Sequence, residues 1–119
     1  MTVDDAIVYA VEAIVPEIAP QVYTGSSLEY CVYNHSDFPK LFAAGKPKAI
    51  VSNVQLHYCL PTGENPRRKL INLRNSLCNA GFTYPELIDI SDADGQHYVL
   101  ECQYREAAEY GQDNAVGSR

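Results

Sequence analysis

Residues 47–82, PKAIVSNVQLHYCLPTGENPRRKLINLRNSLCNAGF, carry more mutually consistent local signals than any other stretch of the chain. In the first half, Val54, Leu56, Tyr58 and Leu60 alternate with Asn53, Gln55, His57 and Cys59. A period of two marks a strand with one buried face. Pro61-Thr62-Gly63 ends it. Asn65 has the side chain of an N-cap, and Pro66 suits the first helical position, where a missing N–H costs nothing. Leu70, Leu73 and Leu77 then recur at i, i+3 and i+7, with Ile71 and Cys78 widening the stripe. Gly81 is placed to close the helix, and Phe82 to fold back onto its last turn. The rest of the chain must pair with this strand or pack on this helix.

Upstream, residues 2–15 read as a first helix. Thr2 is its cap, Asp4 and Asp5 lie in its first turn, and Ile7, Ala10, Val11 and Ile14 form one apolar stripe. Pro16 stops it. Residues 21–24 read as a short strand, turned at Gly25-Ser26-Ser27 into a second strand over 28–34 as a hairpin. Residues 35–48 read as a long irregular loop holding Phe38, Leu41 and Phe42. Those side chains either tuck under the sheet edge or form a partner-binding loop.

Downstream, residues 86–90 form a short strand. Asp94-Gly95 is the strongest hairpin signal, and residues 96–104 alternate as the last strand. The expected fold class is α+β: a mainly antiparallel sheet of about five strands with two helices packed on one face. A single domain is expected over residues 1–105, with a flexible C-terminal tail over 106–119.

No apolar run approaches the roughly 20 residues of a membrane span, and no basic region precedes Asp4 and Asp5 as in a signal peptide. The reading is therefore an intracellular protein with no membrane partner. Its four cysteines, 31, 59, 78 and 102, are then reduced and structural. A net charge of −6 argues against nucleic acid as a partner. The charge is segregated: residues 40–74 hold seven bases against Glu64 alone, and the remainder holds two bases against fourteen acids.

Reactive constellations are scarce. The chain has no phosphate-binding glycine loop, no G-x-S-x-G and no H-E-x-x-H. His57 and Cys59 share a strand face, so a metal would need a third ligand such as His97 or Cys31. Ordinary sheet positions explain them equally, so no catalytic residue, cofactor or metal is expected. Nine tyrosines, five of them on expected strands, suit either a half-wet sheet or a subunit interface. Arg67, Arg68 and Lys69 oppose the dipole of their helix start. They are either a solvated helix end or a surface for an acidic partner.

The strings YTGSSLEYCVYN, VQLHYCLPTGENPRRKLINLRNSLCNAGFTYP and SDADGQHYVLECQY resemble a family of small tail-completion or tail-terminator proteins of phages and prophages of Gram-positive bacteria. The resemblance covers about residues 20–104. It is most distinctive at Asn65, Pro66, Arg74, Leu77, Ala80, Gly81 and Phe82, and along the strand from Asp92 to Cys102. It implies a non-enzymatic α+β subunit that forms a homo-oligomeric ring at the end of the tail tube. Its partners would be copies of itself and the tail-tube and head-connector proteins. It would be found in the host cytoplasm during assembly and then in the virion tail. The expected interface residues are Lys46, Lys48, Arg67, Arg68, Lys69, Phe38 and Phe42. Two other readings stay open: a ligand-binding or regulatory domain with a pocket between the sheet and the 35–48 loop, lined by Tyr58, His57 and Tyr98, and a cysteine-dependent enzyme.

Overall fold

The computed structural model describes residues 1–108. Its elements run α1 (Val3–Val11), β1 (Ile18–Pro20), β2 (Tyr30–Lys40), β3 (Ala49–Leu60), α2 (Arg67–Asn79), β4 (Glu86–Asp89) and β5 (Gln96–Ala107). The five strands form one sheet in the order β1-β2-β3-β5-β4.

The alternation over residues 53–60 builds the centre. β3 pairs antiparallel with β2 from Ala49 to Cys59 and with β5 from Ala49 to Leu60. Val54, Leu56, Tyr58 and Leu60 are buried, while Asn53 is exposed and Gln55, His57 and Cys59 are half-buried. The buried set joins Cys31, Tyr33, Leu100 and Cys102 in one core cluster. Both helices add to that cluster: α1 through Val3, Ala6, Ile7, Ala10 and Val11, and α2 through Leu70, Leu73 and Leu77. The Ser76 hydroxyl donates to the Ala10 carbonyl at 2.6 Å and ties the helices together.

The helix ends follow local chemistry. Thr2 Oγ1 accepts from the Asp5 N–H at 3.2 Å. Asn65 Oδ1 accepts from the Arg67 N–H at 3.0 Å, although Pro66 is the geometric cap, so α2 starts one residue later than expected. Gly81, at φ 102°, closes α2. Its N–H donates to Cys78 O and the Phe82 N–H to Leu77 O, both at 3.1 Å, and Phe82 is buried against Tyr104.

The sheet has the expected five strands and is mainly antiparallel, but it is mixed, because β1 runs parallel to β2 with Ile18 opposite Cys31. Other expectations need correction. The first strand is Ile18–Pro20, not residues 21–24, and it makes no hairpin with β2. Gln21, at φ 63°, turns the chain away. The loop 21–29 is then folded back by Tyr23, which stacks on Tyr30 at 4.3 Å, donates to Glu17 at 2.7 Å and accepts from the Ser27 N–H at 3.0 Å. The chain therefore enters β2 travelling in the same direction as β1.

Residues 35–48 are not an irregular loop: β2 continues to Lys40 and pairs with β3 as far as Ala49. Ala43 and Lys46 exchange backbone hydrogen bonds across Ala44 and Gly45, at φ 53° and 76°. Two central residues with positive φ match the twist of a two-residue hairpin. Pro39 is tolerated because β1 pairs with β2 only as far as Tyr33, which leaves that edge open.

At the C-terminus β5 extends to Ala107, and the Ala108 N–H donates to Lys48 O at 3.1 Å. The expected tail thus loses its first residues to the sheet, and residues 109–119 lie outside the described residues.

Leu73 and Leu77 are fully buried under the sheet. Truncating either to alanine is expected to cost about 2–5 kcal/mol, the range for large-to-small core changes. Urea denaturation midpoints of Leu73→Ala and Leu77→Ala check it.

Candidate interaction surfaces

The β2–β3 hairpin ends in an arm. Phe38, Leu41 and Phe42 are 45%, 59% and 62% exposed there, beside exposed Lys40, Lys46 and Lys48. Leu41, at φ 56°, and Ala44, at φ 53°, sit in the left-handed region that residues with a Cβ avoid, at roughly 1–2 kcal/mol each. Strained backbone thus lies beneath exposed apolar side chains at the tip.

The basic segment of the sequence does not form one patch. Lys46 and Lys48 precede β3, whereas Arg67, Arg68 and Lys69 open α2, which follows the other end of β3. Eleven residue steps at about 3.3 Å separate the two groups by roughly 36 Å. Lys69 is engaged within the subunit: its Nζ donates to Glu29 Oε1 at 2.7 Å. The buried Tyr58 hydroxyl donates to the other Glu29 oxygen. Burial alone would raise the Glu29 carboxyl, but the Lys69 and Tyr58 hydrogen bonds and the Lys69 charge outweigh it and hold it below its ordinary value.

Arg67 and Arg68 share their end of the molecule with acids. Gln96 Nε2 donates to the Pro61 and Glu64 carbonyls, which ties the β4–β5 turn to the α2 approach. Exposed Asp89, Asp92 and Asp94 lie at that turn. One end of the molecule is therefore apolar and basic, and the other is predominantly acidic.

The residues of the alternative pocket do not meet. Tyr58 and Tyr98 face the core, 6.5 Å apart, and His57 points to the opposite, open face. A groove of about 630 Å³ does lie on that face. It is lined by Asn34, Ser36, Asn53, Gln55, Tyr84 and Glu101 among others, and it takes only Ser36 from segment 35–48. Much of its lining is mutually satisfied, with Gln55 donating to Glu101 and Gln103 to Asn53. Tyr84 is braced by the Arg74 guanidinium, 4.8 Å from its ring centre.

Two clusters of titratable groups form, the first joining His57 to His97, one of the residues the sequence offered as a further ligand beside it, and the second around His35, which the sequence spacing did not reveal. His57 Nδ1 and His97 Nε2 stand 2.8 Å apart on the open face. His35 bridges Asp37 at 2.6 Å and Asp4 at 3.1 Å, and buried Ser52 donates to the same Asp37 oxygen at 2.7 Å. The hydroxyl meets a carboxylate rather than an imidazole. The cluster fastens the start of α1 to the base of the arm. Among the described residues, no group of three or more His, Cys, Asp or Glu is gathered for a metal.

All four cysteines are free thiols, with Cys31 and Cys102 buried and Cys78 exposed. Burial pushes Cys31 far up and Cys102 to about 12. Comparison with family models and with curated proteins yields no match.

Two solution tests follow from these geometries. Burial lowers the His35 value, but hydrogen bonds and charge from Asp37 and Asp4 outweigh it and raise it above the ordinary 6.5. A raised folded value contributes stability that is complete below 6.5 and is lost as pH rises through the folded value. The thermal midpoint lost on His35→Asn is therefore expected to be larger at pH 6 than at pH 9. In native protein, a thiol reagent is expected to label Cys78 first and Cys31 and Cys102 only on unfolding, read by peptide mass spectrometry.

Proposed function

We propose that the protein is a non-enzymatic assembly subunit of the tail-completion or tail-terminator kind, joined to its neighbours head to tail through the β2–β3 arm. The observation that carries this reading is the strained arm tip, with Phe38, Leu41 and Phe42 exposed among Lys40, Lys46 and Lys48. Its complement is the far end, where Asp89, Asp92 and Asp94 outnumber Arg67 and Arg68 and exposed Leu87, Ile88 and Ile90 supply apolar area. A contact between unlike ends is heterologous, and rotation closes it into a ring. Charge complementarity orients the approach, and the apolar residues supply the contact area.

The residues of the resemblance also support a structural role. Asn65 caps α2, Gly81 and Phe82 close it, Leu77 is core, and the Arg74 Nε–H donates to the Pro85 carbonyl at 3.1 Å. Their duties are in the fold, as in a protein that works by shape. In this reading the subunit acts first in the host cytoplasm and then in the virion tail, against tail-tube and head-connector proteins. The alternative is a ligand-binding domain, and it rests on the open-face groove, whose volume suits a small molecule.

Arm variants separate the two. Phe38→Ser with Phe42→Ser, and Lys46→Glu with Lys48→Glu, are expected to leave stability within about 0.5 kcal/mol of the parent, as surface changes do. Both pairs are expected to reduce self-association in sedimentation velocity and to leave tails without a finished end in electron micrographs of lysates. Normal numbers of finished tails from both double variants would remove the arm from assembly.

A further inference from the structure

His57 and His97 lie on different strands. The register sets His97 opposite Cys59 and His57 opposite Val99, so the two histidines are diagonal neighbours on the open face. Both are half-buried, and their nearest nitrogens are 2.8 Å apart. We propose that they form a site for one late divalent transition-metal ion, such as Zn2+, Ni2+ or Cu2+, held by His57 Nδ1 and His97 Nε2 with solvent in the other positions.

The spacing fits the chemistry. Two nitrogens bound to one ion at about 2.0–2.1 Å, at angles between cis and tetrahedral, stand roughly 2.9–3.4 Å apart. The pair needs to open by a few tenths of an ångström and both rings to turn so that their lone pairs converge on the ion, while the proton between them moves through solvent to the other nitrogen of the ring that carried it. Imidazole donors suit zinc, copper and nickel, and oxygen-seeking calcium and magnesium are disfavoured. Burial, and then the neighbouring His97, lower the His57 value against a smaller opposing pull from Glu101.

The surroundings admit a cation. His97 opens onto a shallow cavity of about 310 Å³ that also holds Asp92, Asp94 and Cys59. The two carboxylates make that approach negative. Glu101, the other diagonal neighbour of His57 on β5, supplies a nearby charge to offset the ion. With two protein donors the site binds less tightly than a three- or four-ligand centre, and copper binds best by the usual order of divalent ions. An ion there clasps β3 to β5 near the acidic end of the molecule, beside the β4–β5 turn.

The test is calorimetric titration of the full, tag-free chain with Zn2+, Ni2+ and Cu2+ separately at pH 7.5. One ion is expected per chain. His57→Ala and His97→Ala are each expected to weaken it by more than about 10-fold, the least that disturbing even an outer partner of a metal site costs. His35→Ala and Cys59→Ser are expected to bind as the parent does. A second measurement needs no variant: Zn2+ added to the parent is expected to move the ring NMR signals of His57 and His97 and leave His35 in place. Absence of binding overturns the proposal. So do parent-like binding in both alanine variants, loss of binding in Cys59→Ser, and ring shifts confined to His35.

Discussion

The structure depends on β3 being hydrogen-bonded along both edges. Its partners, β2 and β5, cover it from Ala49 onward, so its backbone groups are satisfied within the sheet. Its side chains then have only two destinations. Val54, Leu56, Tyr58 and Leu60 enter the core beneath α1 and α2, and Asn53, Gln55, His57 and Cys59 lie on the open face. A slip of one residue would exchange these sets and place His57 and Gln55 under α2. Tyr58 adds a polar anchor, because its buried hydroxyl is satisfied by Glu29, which in turn holds Lys69 at the start of α2. The central strand, the entry to β2 and the first turn of α2 are thereby fixed together.

Support for the sheet ends before the sheet does. Core residues on β3 begin in earnest at Val54, while the strand starts at Ala49 and its hairpin reaches beyond it. The last anchoring contacts toward the tip are the Asp4, His35, Asp37 and Ser52 cluster and the bond from Ala108 to Lys48. Past them, apolar side chains face solvent on a strained turn. The hairpin carries two non-glycine residues, Leu41 and Ala44, in the left-handed region beside exposed Phe38, Leu41 and Phe42.

The tyrosines show how burial and contact divide one residue type. Tyr33 and Tyr58 are core, Tyr98 and Tyr104 pack against it, and Tyr30 stacks with Tyr23 to hold the loop 21–29. Intrachain packing accounts for these six, Tyr84 carries the Arg74 guanidinium, and Tyr9 is exposed. The open face differs in kind: its amides and carboxylates largely satisfy one another, as on a wet sheet surface.

The sequence by itself determined the elements whose cause is local. Alternation made β3 and β5, leucine spacing made α2, and Thr2, Asn65 and Gly81 set the helix ends, because caps and periodicities act over a few residues. Tertiary structure decided everything that needed a partner strand. Residues 35–40 have glycine-free but irregular-looking chemistry, with proline and aspartate, and become strand only because β3 offers eleven paired positions. Ile18–Pro20 is too short to declare itself, and its parallel direction follows from Tyr23 folding a loop across β2. The basic run from 40 to 74 reads as one patch along the chain, yet a twelve-residue strand inside it carries its halves to opposite ends of the molecule. His57 and His97 are forty residues apart in the chain and meet because antiparallel register is a long-range property that no local pattern encodes.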